Sequence, residues 1–146
     1  MKISTKGRYA VRMLLDLAAH QGDGCVSLGE IAERQNVSRK YLEQIVPLLS
    51  ASGMLRTVRG PQGGYRLARA PESCTVGEIL RLTEGTLSPV ACLDTEVNLC
   101  ARAADCPTLP VWEGLYRVVR EYLDGITLAD LLRDEETNKN DKKARE

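Results

Sequence analysis

Apolar residues recur at helical spacing at Val11, Leu14, Leu15 and Ala18, which predicts a first helix begun at Ser4 or Thr5 and stopped by Gly22–Gly24. Ser27-Leu28-Gly29-Glu30 has the form of a capping box, in which Ser27 accepts an N–H three residues on and Glu30 reaches back. It opens a short helix through Ile31 and Ala32 that runs out near Asn36. Ser38 then caps a third helix whose apolar face is Tyr41, Leu42, Ile45, Leu48 and Leu49. Pro47 lies inside that pattern and is expected to kink or split it. Met54–Val58 and Tyr65–Arg69 read as two short strands around Arg59-Gly60-Pro61-Gln62-Gly63-Gly64. A second capping box at Thr75–Glu78 opens a helix through Ile79, Leu80 and Leu82. Periodicity then lapses from Gly85 to Pro107. It returns in a long helix capped by Thr108, with Glu113–Arg117 and Arg117–Glu121 as i,i+4 pairs on its outer side. Thr127 caps a last turn, Leu128 to Leu132, and the charged stretch from Asp134 onward is expected to be disordered.

Two short helices joined near Asn36-Val37 and followed by a basic hairpin outline a winged helix-turn-helix. The charge distribution agrees. Twenty basic and twenty acidic residues cancel overall, yet residues 1–70 hold 11 basic and 5 acidic side chains and residues 71–146 hold 9 and 15. A basic half beside an acidic one points to a polyanion on one side of the molecule. The composition, 43% hydrophobic and 4% aromatic over 146 residues, suits one domain or a domain with an arm. No uncharged stretch approaches the roughly 20 residues that a helix needs to cross a bilayer. No apolar segment of signal-peptide type follows Met1, so a cytoplasmic protein is expected. One His, no nucleophile elbow and no phosphate loop argue against an enzyme.

If the third helix reads DNA, its first two turns present Ser38, Arg39, Lys40, Tyr41, Glu43 and Gln44. Arg39 or Lys40 can pair with guanine and Gln44 with adenine, while Glu43 can accept from cytosine and repels phosphate elsewhere. Arg59, with Gly60 beside it at the tip of the hairpin, suits a narrow minor groove. Lys6 and Arg8, together with Arg56, Arg66 and Arg69, are candidates for phosphate contacts.

Three of the five cysteines, Cys92, Cys100 and Cys106, form Cys-x7-Cys-x5-Cys in an acidic loop. Such a trio suits a metal or redox site better than a structural disulfide in a reducing compartment. It is one thiolate short of a full set for an iron–sulfur cluster or structural zinc, and a reversible thiol switch is the other chemistry it supports. Cys25 and Cys74 stand apart and read as structural.

The segments Met1–Ala10, Tyr41-Leu42-Glu43-Gln44 and Val58–Tyr65, with the cysteine trio and the Trp112 helix ending in Gly125-Ile126-Thr127-Leu128, resemble the IscR-type iron–sulfur regulators of the Rrf family. The resemblance covers roughly Met1 to Leu132. It implies a homodimeric winged-helix transcription factor that is mainly α with a small β-hairpin, its long C-terminal helix crossing that of its partner. It further implies a cluster on Cys92, Cys100 and Cys106, most often two-iron, two-sulfur. The cluster would control binding to a pseudo-palindromic operator, with iron–sulfur biogenesis genes as targets and assembly proteins as partners. The division that follows is a DNA-binding domain at 1–82, a cysteine loop at 83–107, a dimerisation helix with a short final helix at 108–133 and a tail at 134–146. Trp112, Leu115, Val119, Tyr122 and Ile126 approximate the seven-residue repeat that joins two helices. Where the family supplies a His ligand three residues after the third cysteine, this chain has Leu109. Arg8 and Arg12 stand where relatives place a ligand from the first helix of the partner. Among His20, Asp105, Glu96, Cys74 and an exogenous group the fourth ligand is open. A relative without a cluster, controlled by thiol redox, nitric oxide or a partner protein, is the alternative.

Overall fold

The computed structural model describes residues 1–146. Six helices and one hairpin make up the chain: α1 (Thr5–His20), α2 (Leu28–Gln35), α3 (Arg39–Ala51), β1 (Leu55–Val58), β2 (Gly64–Leu67), α4 (Val76–Glu84), α5 (Leu109–Asp124) and α6 (Leu128–Arg145). The strands pair antiparallel, with Leu55 opposite Leu67 and Val58 opposite Gly64. Beside them Val26 exchanges two backbone hydrogen bonds of 2.8 Å with Tyr65, which ties the start of α2 to the hairpin. The fold is thus mainly α with a small hairpin, arranged as a winged helix-turn-helix.

The start signals work largely as the sequence reads. Ser4, Ser27, Ser38, Thr75 and Thr127 each accept a hydrogen bond from a backbone N–H in the first turn of the helix they cap. Asn36 closes α2 in the left-handed region at φ 52° and turns the chain into α3. The box at Thr75 is only half made, because Glu78 turns away to take both terminal nitrogens of Arg69 at 3.0 and 2.7 Å. Thr108 makes no side-chain cap; its hydroxyl lies beside Cys106 instead.

Two further expectations give way to packing. Pro47 does not split α3: its ring is exposed, while Leu42, Ile45 and Leu49 on the opposite face are buried and hold the helix across it. The stretch from Asp134 is helical through Arg145 as the outward continuation of α6. Its charges are ordered for a helix, with acids early, Lys142, Lys143 and Arg145 in the last turn, and Glu135 paired with Lys139 at 2.7 Å. The pairs expected along α5 are not formed; its ion pair is Asp124 with Arg81. Exposed i,i+4 pairs gain little over hydration, so their absence costs little.

The core gathers Ala10, Met13, Leu14 and Leu17 of α1 with Ile31, Leu42, Ile45, Leu49, Met54 and Ile79, and Leu128 of α6 closes it. The stripe on α1 is therefore turned from the predicted one: Val11, Leu15 and Ala18 pack at its edge, and Asp16 is buried. The segments 1–82 and 108–133 are not separate bodies, since α6 lies on α1 and Val76 and Cys74 bond the backbone of Ile126 and Leu128. By contrast, α5 buries none of its residues.

Candidate nucleic-acid interface

The N-terminal half of α3 and the hairpin loop face one cleft of about 380 Å³, lined among others by Ser27, Leu28, Arg39, Glu43, Arg59 and Gly60. Two close backbone approaches set the pose of the loop. A Cβ at Gly63 would collide with the carbonyl oxygen of Val58, and one at Gly64 with that of Val26. Gly60, at φ 119°, turns the tip and accepts a hydrogen bond from the Gly63 N–H at 3.0 Å. Arg59 is left exposed at that tip.

On α3, Arg39, Lys40, Glu43 and Gln44 are all exposed. Arg39 and Glu43, an exposed i,i+4 pair, lie 3.5 Å apart, and both line the cleft. Ser38 accepts from the Tyr41 N–H at 3.1 Å and keeps its hydroxyl proton free to donate outward. Tyr41 is half-buried, its ring edge-on to Tyr9 of α1 at 5.8 Å. Arg12 stacks on the other ring of that pair, 4.9 Å from the centre of Tyr9, and donates to Gln35 Oε1 and the Gln35 carbonyl at 2.9 and 3.2 Å. Sequence reasoning missed this brace between α1 and the turn before α3; a Tyr9–Arg12 pair one helical turn apart was its signal.

The other candidate cations divide. Lys6 is half-buried in the first turn of α1, away from the cleft, and Arg8 donates to Thr5 at 3.1 Å. Arg56 is exposed on β1. Arg66 is spent on the carbonyls of Asp23 and Gly24, and Arg69 on Glu78, so neither guanidinium is free for a phosphate.

The cysteine trio sits on the segment between α4 and α5. Cys92 and Cys106 are half-buried, Cys100 is exposed, and all three are free thiols. In donor chemistry they fit three positions of an iron–sulfur cluster. In placement they do not converge: no group of three His, Cys, Asp or Glu side chains stands around a point that could hold a metal. A hydrogen bond from the Thr108 hydroxyl, then those of the Thr108 and Leu109 backbone and the charge of Arg102, hold the Cys106 thiol below its ordinary range against slight desolvation. Val97 and Leu99 are exposed on the same segment, at 67% and 82%. No helix is long and apolar enough to cross a membrane.

The profile of the Rrf2 family, described as an iron-dependent transcriptional regulator, matches residues 3–134. The chain belongs to the Rrf2 family. A relative named protein rrf2, from Nitratidesulfovibrio vulgaris, is 40% identical over 134 residues, which cover 92% of this chain and 89% of the relative. Among solved structures, T. potens IscR superposes with a TM-score of 0.76 at 44% identity, covering 94% of this chain and 90% of its own. The structure of CymR (YrzC), the global cysteine regulator of B. subtilis, does so with a TM-score of 0.76 at 38% identity, covering 91% and 97%. The family is described as one of transcriptional regulators, and this Rrf2-family chain is a DNA-binding transcriptional regulator of the winged-helix type and not an enzyme.

Proposed function

We propose that the chain acts in the cytoplasm as a homodimer that binds a pseudo-palindromic operator and responds through an iron–sulfur cluster on Cys92, Cys100 and Cys106. The observation that carries the DNA half is the shared cleft of α3 and the wing. Arg39, Lys40, Glu43 and Gln44 meet base edges in the major groove, Ser38 donates to a phosphate, and Arg59 with Gly60 enters the adjacent minor groove. Tyr41 positions the helix against Tyr9. Lys6 contacts a flanking phosphate. The dimer half is supported by the stripe Val111, Trp112, Leu115, Val118 and Tyr122, exposed along α5 at 59%, 36%, 41%, 58% and 66%. An apolar face of that length on an otherwise charged helix matches a helix–helix seam.

The cluster, of two-iron, two-sulfur type, is supported by three free thiols on one segment and by the likeness to IscR. When bound it would supply a redox- and oxygen-sensitive centre, delivered by iron–sulfur assembly proteins. This chain's own contribution is to hold that segment directly against the first turn of α5. A second reading is favoured by the thiols' failure to converge and by the likeness to CymR: a repressor controlled by thiol redox, nitric oxide or a partner protein.

Purification without oxygen, with an absorption spectrum and iron and acid-labile sulfide analysis, separates the two. Visible charge-transfer bands with matching iron and sulfide are expected. A colourless protein that resists reconstitution yet binds DNA would overturn the cluster and leave the second reading. Operator binding is checked beside it by fluorescence anisotropy over a salt series, with a steep fall in affinity expected.

A further inference from the structure

α5 is joined to the reading head by an ion pair at its last residue. None of its sixteen residues is fully buried, and that ion pair is made by Asp124. There Arg81 of α4 grips Asp124 through both terminal nitrogens, each 2.8 Å from its own carboxylate oxygen. Gly77, one turn earlier on α4, lies so close that a Cβ would collide with Asp124 Oδ1. Just beyond, the Val76 N–H donates to the Ile126 carbonyl and the Leu128 N–H to the Cys74 carbonyl, both at 2.9 Å. Those two backbone bonds flank the antiparallel bridge between Thr75 and Thr127 and make two points of attachment. The guanidinium–carboxylate fork is the third point, which fixes the angle.

We infer that the Arg81–Asp124 pair, seated over Gly77, sets the angle between α5 and the reading head, and so the half-site spacing that the dimer accepts. The inference rests on the α5-mediated dimer proposed above. Lever length gives the joint its influence. At 1.5 Å per residue α5 is about 24 Å long, so a 10° rotation at Asp124 displaces its far end by about 4 Å. That is close to the 3.4 Å rise of one base pair. With a second head attached along the same helix, a small change at the joint becomes a change of about one base pair in the span between recognition helices. Arg81 and Asp124 are positioning residues, since neither lies at the cleft.

The test uses the full chain and a pool of random-sequence duplexes, from which wild type and variants each select their sites; the spacing of half-sites is read by sequencing, and sedimentation velocity gives the oligomeric state. Wild type is expected to prefer one spacing over its neighbours by roughly tenfold, the order of one misplaced base pair. Asp124→Asn, and separately Gly77→Ala, is expected to reduce that preference to about threefold or less, with the half-site sequence unchanged. The charge swap of Arg81→Asp with Asp124→Arg is expected to restore it, which general loss of stability would not. A dimeric Asp124→Asn that keeps the wild-type spacing profile would overturn the inference alone. A monomeric wild type on DNA would overturn the dimer, and the inference with it.

Discussion

Asp16 lies off the apolar stripe that the sequence predicts for α1, yet it is buried. Its carboxylate is buried under α1 and takes three hydrogen bonds from Arg34, at 3.2, 3.0 and 2.7 Å, and one from Gln35 at 2.9 Å. Burial alone would raise its carboxyl, but the hydrogen bonds from Arg34 and Gln35, then the charges of Arg34 and His20, outweigh it and hold the group below its ordinary value of 3.8. Its contribution to stability is therefore complete above that value and is lost as pH falls through the lower, folded one. Asp16→Asn should cost about 1–2 kcal/mol at neutral pH, because the Arg34 left behind is one-third exposed and can be hydrated, measured by urea denaturation. The gap from wild type should narrow as pH falls below the ordinary carboxylate range.

Two residues of the cleft carry predictions of their own. Glu43→Ala frees Arg39 from its 3.5 Å partner and removes a group that repels phosphate, so the set of selected sites should broaden. Unchanged specificity would refute that role. Arg59→Ala should weaken binding by about 1–2 kcal/mol at sites with a narrow minor groove and less elsewhere. A uniform loss across sites, with a salt slope lower by about 1, would make Arg59 a phosphate contact instead.

At the scale of elements, α5 and α6 behave oppositely. α5 is amphipathic and its apolar stripe is left largely exposed, so its stability as an arm belongs to whatever covers it. Leu115→Glu, at the centre of the stripe, should halve the mass seen in sedimentation velocity while leaving the reading head folded. In α6 only Leu128 and Ala129 are buried, and the remainder runs outward as a charged helix. Deleting residues 134–146 should lower helical circular dichroism but shift Tm by no more than about 2 °C, because few apolar contacts are lost.

At the scale of the whole molecule, periodicity and caps in the sequence determine where most helices start and where the hairpin turns, because these depend on neighbours a few positions away. Ser38 can be seen to start α3, and the three glycines of the wing to turn it, before any packing is known. The cysteine trio is legible as chemistry in the same local way. Tertiary structure alone decides what depends on distant partners: that Asp16 meets Arg34, that Glu78 leaves its capping box for Arg69, that Arg66 and Arg69 are spent inside the chain, and that Thr108 turns to Cys106. It decides too that residues 134–145 extend α6 and that Asp124 of α5 meets Arg81. A local pattern records which face a helix can bury, whereas the partner that buries it, or claims its charges, is set by how the chain folds back on itself.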